Sequence, residues 1–582
     1  MEDDTKLVLI DNSAMALFEA RADELILSGN KEELASFVKA IDQKTFTFDD
    51  YFLEARYFYT LANCYSDVYR YRDSDWYSED LSKAVVNFRK ALYAIKHIED
   101  PNVIQLNLRS RIETNLANYL SSQGRAICAL EHWNNALDIN DNPVAIIAKI
   151  NNAFFIAECL YDKFHSHYHY FEAYKLICLG FESLNNLEEE HQKAYSEDGK
   201  FLKFKLWFET EFQEYDFSLI DNYKEDFKSK KQKDYLRWCG AHRLFLNDLN
   251  DLYKTELTYT DCFTLPTITQ SINRTLTYNE DLIYHGNFDE IKNDYCYSRY
   301  LIFSSLNISN EQEHFFNGTY DRVDDMTHSL TNLKSQHYKT AFKTLYSIFD
   351  KIAYFLNSFY DLNKIDSKIY FHNIFGQIKN GKLKPHKKLI DSQNYFLHAL
   401  FFILKDIRNS NSKELEAESE SYWLDPDIEA FSEIRNAMEH RSLKIVDAFG
   451  HTLTKSSIEF HQRYVDELIE KKITIQHELE CIYPKIKQAK KAGDLNTKAK
   501  LDLEKNKLDS ALNKLEIKLT DKEKRSKHSL LITDEEFELR LFTLMKLVRN
   551  SIMYLSLAIN HDEMCKPAND YTSLEMNVPL KV

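Results

Sequence analysis

The chain has little glycine and little proline, 11 and 8 residues in 582. Many short strands would need more turn residues than that, so a β-sandwich or barrel is excluded and a mainly helical protein is expected. Its nine cysteines, scattered from Cys64 to Cys565, form no C-x-x-C pair. Neither a zinc knuckle nor a disulfide framework is expected, and a reducing cytoplasm is the expected location. No apolar run approaches the roughly 20 residues that a membrane span requires, and the acidic start Met1-Glu2-Asp3-Asp4 lacks the basic opening of a signal peptide. Phosphate-binding glycine loops and serine-triad spacings are also missing, so no cofactor and no metal is expected. A net charge of -17 disfavours nonspecific binding of polyanions, and no DNA partner is expected.

What is present is helical periodicity. Leu116, Ala117, Leu120, Ala129, Trp133 and Ala136, followed by Pro143, have the spacing of a tetratricopeptide repeat. Leu61, Ala62, Tyr65, Ala84, Phe88 and Ala91 form an earlier copy, and a degenerate third hairpin is expected over Ile147 to Leu184, with Ala173 and Gly180 as small contacts. Small residues let paired helices approach, and stacked hairpins leave a concave surface suited to a protein or peptide ligand. A long amphipathic helix is expected from Tyr338, with Leu345, Ile348, Ile352, Phe355 and Phe359 on one stripe. Further helices are expected over Phe396 to Ile407, through the segment around Arg435, and from the capping box Thr533-Asp534-Glu535-Glu536 to about Ala558. An up-and-down bundle is the simplest packing of these four.

Between the third and fourth of them, an insertion reads as an antiparallel coiled coil. Val465, Leu468, Ile475, Leu479, Ile482 and Ile486 go out, Ala492-Gly493-Asp494 turns, and Leu501, Leu508, Leu512, Leu515 and Leu519 return. Pro484 is expected to kink the outgoing arm. Lys485, Lys487, Lys490 and Lys491 cluster near the tip as candidate contacts to RNA or to a partner's acidic surface, although such lysines commonly only solvate a coiled-coil surface. The fold class is all-α. The expected domains are residues 1–205 as tetratricopeptide-like repeats, 206–330 as a helical connection, and 331–582 as the bundle, with the coiled-coil hairpin at about 455–530.

The stretch Arg435-Asn436-Ala437-Met438-Glu439-His440 carries the candidate chemistry. With Arg435 at zero, Glu439 falls near 40°, Asn436 near 100° and His440 near 140°, at about 100° per residue. Ile434, Ala437, Met438, Ala430 and Phe431 occupy the opposite arc. Asp425 is expected to cap this helix and Pro426 to begin it. The spacing alone is weak, since about 0.7 Arg–His pairs five apart are expected by chance, and Arg237 and His242 make one such pair.

Glu433 to Lys444 resembles the signature helix of HEPN domains: an arginine, a polar residue, three variable residues and a histidine. The looser resemblance extends to Phe342 to Phe359 and to Asn247-Asp248-Leu249-Asn250-Asp251-Leu252, and within the superfamily it is to a branch with tetratricopeptide-like helices in front. Ser442 stands where HEPN toxins neutralised by nucleotide transfer carry a tyrosine, so the resemblance does not extend to that form of regulation.

The resemblance implies a metal-independent endoribonuclease that cuts tRNA or mRNA as a toxin or antiviral effector, acting as a homodimer in which two signature helices form one cleft. Arg435, Asn436 and His440 are the candidate catalytic residues, with Asp350, Lys351, Glu439 and Arg441 in support. The alternative is a non-catalytic scaffold that keeps the bundle for dimerisation and for protein or nucleotide binding.

Overall fold

The computed structural model describes residues 8–42, 46–71, 75–184, 189–196, 198–266, 268, 280–308, 314–318, 329–379, 382–407, 426–526 and 529–566. The described chain is mostly helix, and the all-α class holds. The helices are α1 Asn12–Ser28, α2 Lys31–Ile41, α3 Tyr51–Tyr71, α4 Glu79–Lys96, α5 Val103–Ser122, α6 Ala126–Ile139, α7 Pro143–Cys159 and α8 Lys163–Glu182. They continue with α9 Glu189–Gln192, α10 Lys200–Glu211, α11 Leu219–Asn222, α12 Lys230–Ala241, α13 Leu249–Leu252 and α14 Glu280–Leu306. The remainder are α15 Leu333–Phe359, α16 Phe371–Ile374, α17 Tyr395–Ile407, α18 Pro426–His440, α19 Ala448–Ala492, α20 Leu495–Ser526 and α21 Asp534–Met564. Three two-stranded ribbons join them. β1 Val8–Ile10 pairs in parallel with β2 Phe46–Phe48, β3 Gly376–Lys379 pairs antiparallel with β4 Lys382–Pro385, and β5 Ser442–Val446 pairs in parallel with β6 Ser529–Thr533.

Two compact units result. The first comprises residues 1–303, 343–429 and 543–582, and the second 304–342 and 430–542.

In the first unit, α3/α4, α5/α6 and α7/α8 are consecutive helices packed as pairs. The positions expected to hold them together are buried: Leu61, Ala62, Tyr65, Ala84, Phe88 and Ala91 in one pair, and Leu116, Ala117, Leu120, Ala129, Trp133 and Ala136 in the next. Ala55, Ala117 and Ala153 lie wholly out of solvent, which lets the backbones come close. Asn102 closes a capping box at the start of α5, and Asn142 caps α7 just before Pro143 in its first turn. Gly124 turns α5 into α6 at φ 79°, and a Cβ there would lie 1.8 Å from the carbonyl oxygen of Tyr395. Gly180 lies against Tyr195, since a Cβ on it would lie 2.1 Å from that hydroxyl.

In the second unit, Phe342 in the first half of α15 stacks on Phe537 of α21 at 5.8 Å and meets the edge of Phe431 of α18 at 6.1 Å. All three rings are fully buried. α21 runs to Met564, beyond the expected end near Ala558. Thr533 accepts from the Glu536 amide at its start, while the Glu536 carboxylate binds Arg540.

α19 and α20 pack as a helical hairpin turned by Gly493 at φ 72°, and α19 runs unbroken through Pro484. This excursion leaves and re-enters through β5 and β6, which pair from Ser442↔Ser529 to Val446↔Thr533. Leu443, Ile445 and Val446 of β5 and Ile532 of β6 are buried, so the ribbon carries its own apolar face. The Leu330 amide adds a hydrogen bond of 2.7 Å to Ile445.

Candidate active site

α18 is amphipathic, and its buried side fixes the direction of its polar arc. Phe431, Ile434 and Ala437 are fully buried, Asn436 and Met438 are half-buried, and Glu439, His440 and Arg441 are exposed. Pro426 occupies the expected first position, whereas Asp425, the expected cap, lies outside the described residues. The helix ends at His440 with the Arg441 amide bonded to the Ala437 carbonyl, and Ser442 begins β5. The Glu433 to Lys444 segment is therefore helix followed by strand. Backbone pairing of residues 442 to 446 with β6 ends the helix, a long-range competition that local propensity does not register.

On the exposed arc, Glu439 lies between Arg435 and His440. Its carboxylate is 3.1 Å from the Arg435 guanidinium and 3.9 Å from Nε2 of His440. The His440 side chain is 70 % exposed, against 36 % for Arg435 and 35 % for Glu439. One chain thus presents a guanidinium, a carboxylate and an imidazole together at the end of a helix. That set can bind an anion and exchange one proton with it.

Asp350 and Lys351 are carried by α15 and the lysine cluster by α19. Lys351 belongs to the first unit, where it pairs with Glu290 and with Asp294 at 2.7 Å. Burial pulls the Lys351 ammonium down, but hydrogen bonds to those two carboxylates raise it overall. Asp350, also in the first unit, accepts from the Phe371 amide at 3.0 Å. Lys485, Lys487, Lys490 and Lys491 are exposed on the last turns of α19.

Two features of the first unit were not singled out in the sequence. One is a buried cluster formed by α8 with Asp248, just before α13, and Cys262, beyond it. His165 Nδ1 lies 2.6 Å from one oxygen of Asp248, and His169 Nε2 lies 2.8 Å from the other. Cys262 Sγ is 3.7 Å from Nε2 of the same His165. Burial lowers the His165 imidazole, but the charge of Asp248, its hydrogen bond and Cys262 outweigh this and push it up to about 11. Burial raises Asp248, and the two histidines outweigh that and hold it well below the usual carboxylate range. Burial pushes the Cys262 thiol up, against the hydrogen bond from His165. The thiol therefore stays protonated at neutral pH, and the cluster acts as an internal ion pair tying α8 to residues 248 and 262. The Asn247 to Leu252 segment has a structural role here, since Asp251 also binds the buried guanidinium of Arg549 at 2.8 Å and 3.0 Å.

The other feature is a groove of 780 Å³ along α1, α3 and α5, lined among others by Arg56, Asn63, Arg70, Asn107, Arg111 and Asn115. Asn115 donates to Tyr59 and Asn63, while Arg56 pairs with Glu19. The groove is polar, with charges of both signs on its walls.

Among the described residues no group of three or more His, Cys, Asp or Glu could hold a metal ion, and no helix is long and apolar enough to cross a membrane.

Comparison with known families identifies the domain around α18. Residues 276–477 match the family described as LA2681-like HEPN, so the chain carries a domain of the HEPN superfamily, whose members are commonly ribonucleases. No curated protein and no solved structure matches the chain.

Proposed function

We propose that the protein is a metal-independent endoribonuclease that uses Arg435, Asn436 and His440 of α18. The observation that carries this reading is the arrangement of an exposed imidazole and guanidinium, joined by Glu439, at the end of a helix inside the HEPN-matched residues. RNA can be cut without a metal because its 2'-hydroxyl attacks the adjacent phosphorus. The O2'–P bond forms, the P–O5' bond breaks, and the products are a 2',3'-cyclic phosphate and a 5'-hydroxyl. One base takes the 2' proton and one acid supplies a proton to the leaving oxygen. Arg435 stabilises the charge that builds on the phosphorane, because a planar guanidinium binds two phosphate oxygens at once. Asn436 orients the imidazole or the ribose through its amide.

A single His440 cannot be base and acid in the same step. The mechanism therefore uses a homodimer in which each chain contributes one His440 and one Arg435 to a shared cleft. The helix pairs of residues 51–182 supply a tetratricopeptide-like platform, and their polar groove suits a peptide or protein trigger. In this reading tRNA or mRNA is the substrate and the biological role is that of a toxin or antiviral effector.

The Arg435–Glu439 pair favours a second reading, in which the arc is a self-neutralised surface and the chain is a scaffold. Incubation of purified protein with total cellular RNA in chelator separates the two. Cleavage lost in His440→Ala and Arg435→Ala, with products that a cyclic-phosphate-specific ligase joins, supports the enzyme. RNA left intact with and without candidate triggers supports the scaffold, and cleavage unaffected by both substitutions refutes the assignment of the site to Arg435 and His440.

A further inference from the structure

We propose that the outer face of α20 is a parallel coiled-coil seam for a second copy of this chain. Its importance rests on the two-imidazole reading above, because it supplies the second copy which that reading requires.

α20 carries two opposed stripes. The inner one, Leu501, Leu508, Leu512, Leu515 and Leu519, is half-buried and belongs to the hairpin with α19. On the other side lie Ala499, Leu503, Asn506, Ser510, Asn513 and Ile517. Their steps of four, three, four, three and four residues follow a heptad repeat, about 180° from the inner stripe at about 100° per residue. All six are exposed, Leu503 by 59 % and Ile517 by 64 %. None is charged, although most of the other non-leucine positions of this segment are Lys, Asp or Glu. A surface that merely met water would not keep charge off six consecutive heptad positions.

The flanking charges identify the occupant. With Leu503, Ser510 and Ile517 as the a positions, the g positions are Asp502, Asp509 and Glu516 and the e positions are Lys500, Lys507 and Lys514. One flank is acidic and the other basic, at the same seven-residue spacing. In a parallel pair each g faces the e of the next heptad across the interface, so Asp502 meets Lys507 of the partner subunit and Asp509 meets Lys514 of the partner subunit. In an antiparallel pair e faces e and g faces g, which sets lysine against lysine and carboxylate against carboxylate. The parallel orientation thus matches two of the three g positions and the antiparallel orientation none, while Glu516 would face Asp521 of the partner subunit.

Glu516 reaches Lys472 of α19 at 3.2 Å and Asp509 is 3.9 Å from Lys505. Asn506 and Asn513 at d positions and Ser510 at an a position weaken the pairing.

The test uses the full chain. Sedimentation of the wild type at increasing concentration is expected to give a dimer, and Leu503→Asp/Ile517→Asp a monomer with unchanged circular dichroism. Asp502→Lys/Asp509→Lys and Lys507→Glu/Lys514→Glu are each expected to be monomeric alone and to form a heterodimer when mixed. Under mild oxidation Ile517→Cys is expected to crosslink to itself, as located by peptide mass spectrometry. A monomeric wild type, a dimer that survives Leu503→Asp/Ile517→Asp, or a preferred crosslink between Leu503→Cys and Ile517→Cys chains overturns the proposal.

RNA cleavage measured on the same samples separates the two readings. A dimer and cleavage that both survive the double substitution refute the seam alone. A monomer that still cleaves at the wild-type rate refutes the shared cleft and leaves the seam standing.

Discussion

Replacing Asp248 by asparagine removes the charge at the centre of the His165–Asp248–His169 cluster and keeps its shape. Burial opposes the imidazolium of His165, yet Asp248 and Cys262 lift it to about 11. A histidine in an unfolded chain titrates at about 6.5. Between these values the folded protein holds a proton that the unfolded chain has released. The stabilisation is therefore complete below about pH 6.5 and is lost as the pH rises toward 11, at about 1.4 kcal/mol per pH unit.

Asp248 reports the same ion pair from its other end. Its value is held below that of an unfolded carboxylate, so its contribution is present above about pH 4 and lost as the pH falls through the folded value. The two shifts describe one interaction and do not add.

Asp248→Asn leaves His165 without the charge that retains its proton. The variant is expected to be less stable than the wild type by about 3–5 kcal/mol near pH 6, the usual cost of breaking a buried pair. Near pH 8 the difference should be smaller by roughly 2 kcal/mol. Urea unfolding of both proteins across this range measures the difference, and amide exchange of α8 localises it. Titrating groups away from the cluster keep the same surroundings in both chains, so their pH dependence cancels. A difference that stays constant from about pH 6 to pH 8 would refute the reasoning and make Asp248 an ordinary hydrogen-bond acceptor.

Other predictions follow from single contacts. Glu439→Gln removes the carboxylate that competes with phosphate for Arg435, and should lower KM for RNA by up to about fivefold, since an exposed pair is worth at most about 1 kcal/mol. Lost activity would instead mean that Glu439 holds the site together. Phe342→Ala empties the centre of the Phe342, Phe431 and Phe537 cluster and should cost about 3–5 kcal/mol in denaturant unfolding, with little change if the cluster can collapse. Gly124→Ala drives a Cβ into the Tyr395 carbonyl at a left-handed backbone, and should lower the melting temperature more than Gly29→Ala, where the backbone is similar and the space is open.

Much of the site was legible in the sequence because it lies on one helix. The arc of Arg435, Glu439 and His440 and the buried side of Phe431, Ile434 and Ala437 follow from 3.6 residues per turn. The same local rule gave the helix pairs, the inner seam of the hairpin and the glycine turn at Gly493. The end of α18 at His440 was not legible, because it depends on β5 meeting a strand on the far side of the α19/α20 excursion.

The sequence by itself determined where helices run, which faces they hide, and that a cation and an imidazole share one polar arc, since each depends on neighbours within a few turns. The tertiary structure decided which polar groups meet across long separations. It brings Asp248 between His165 and His169, sets Asp251 on Arg549, turns Lys351 to Glu290 and Asp294, and pairs β5 with β6. Such pairings arise when distant segments exclude water together and must satisfy each other's charges and backbone hydrogen bonds, and no local pattern records the partner.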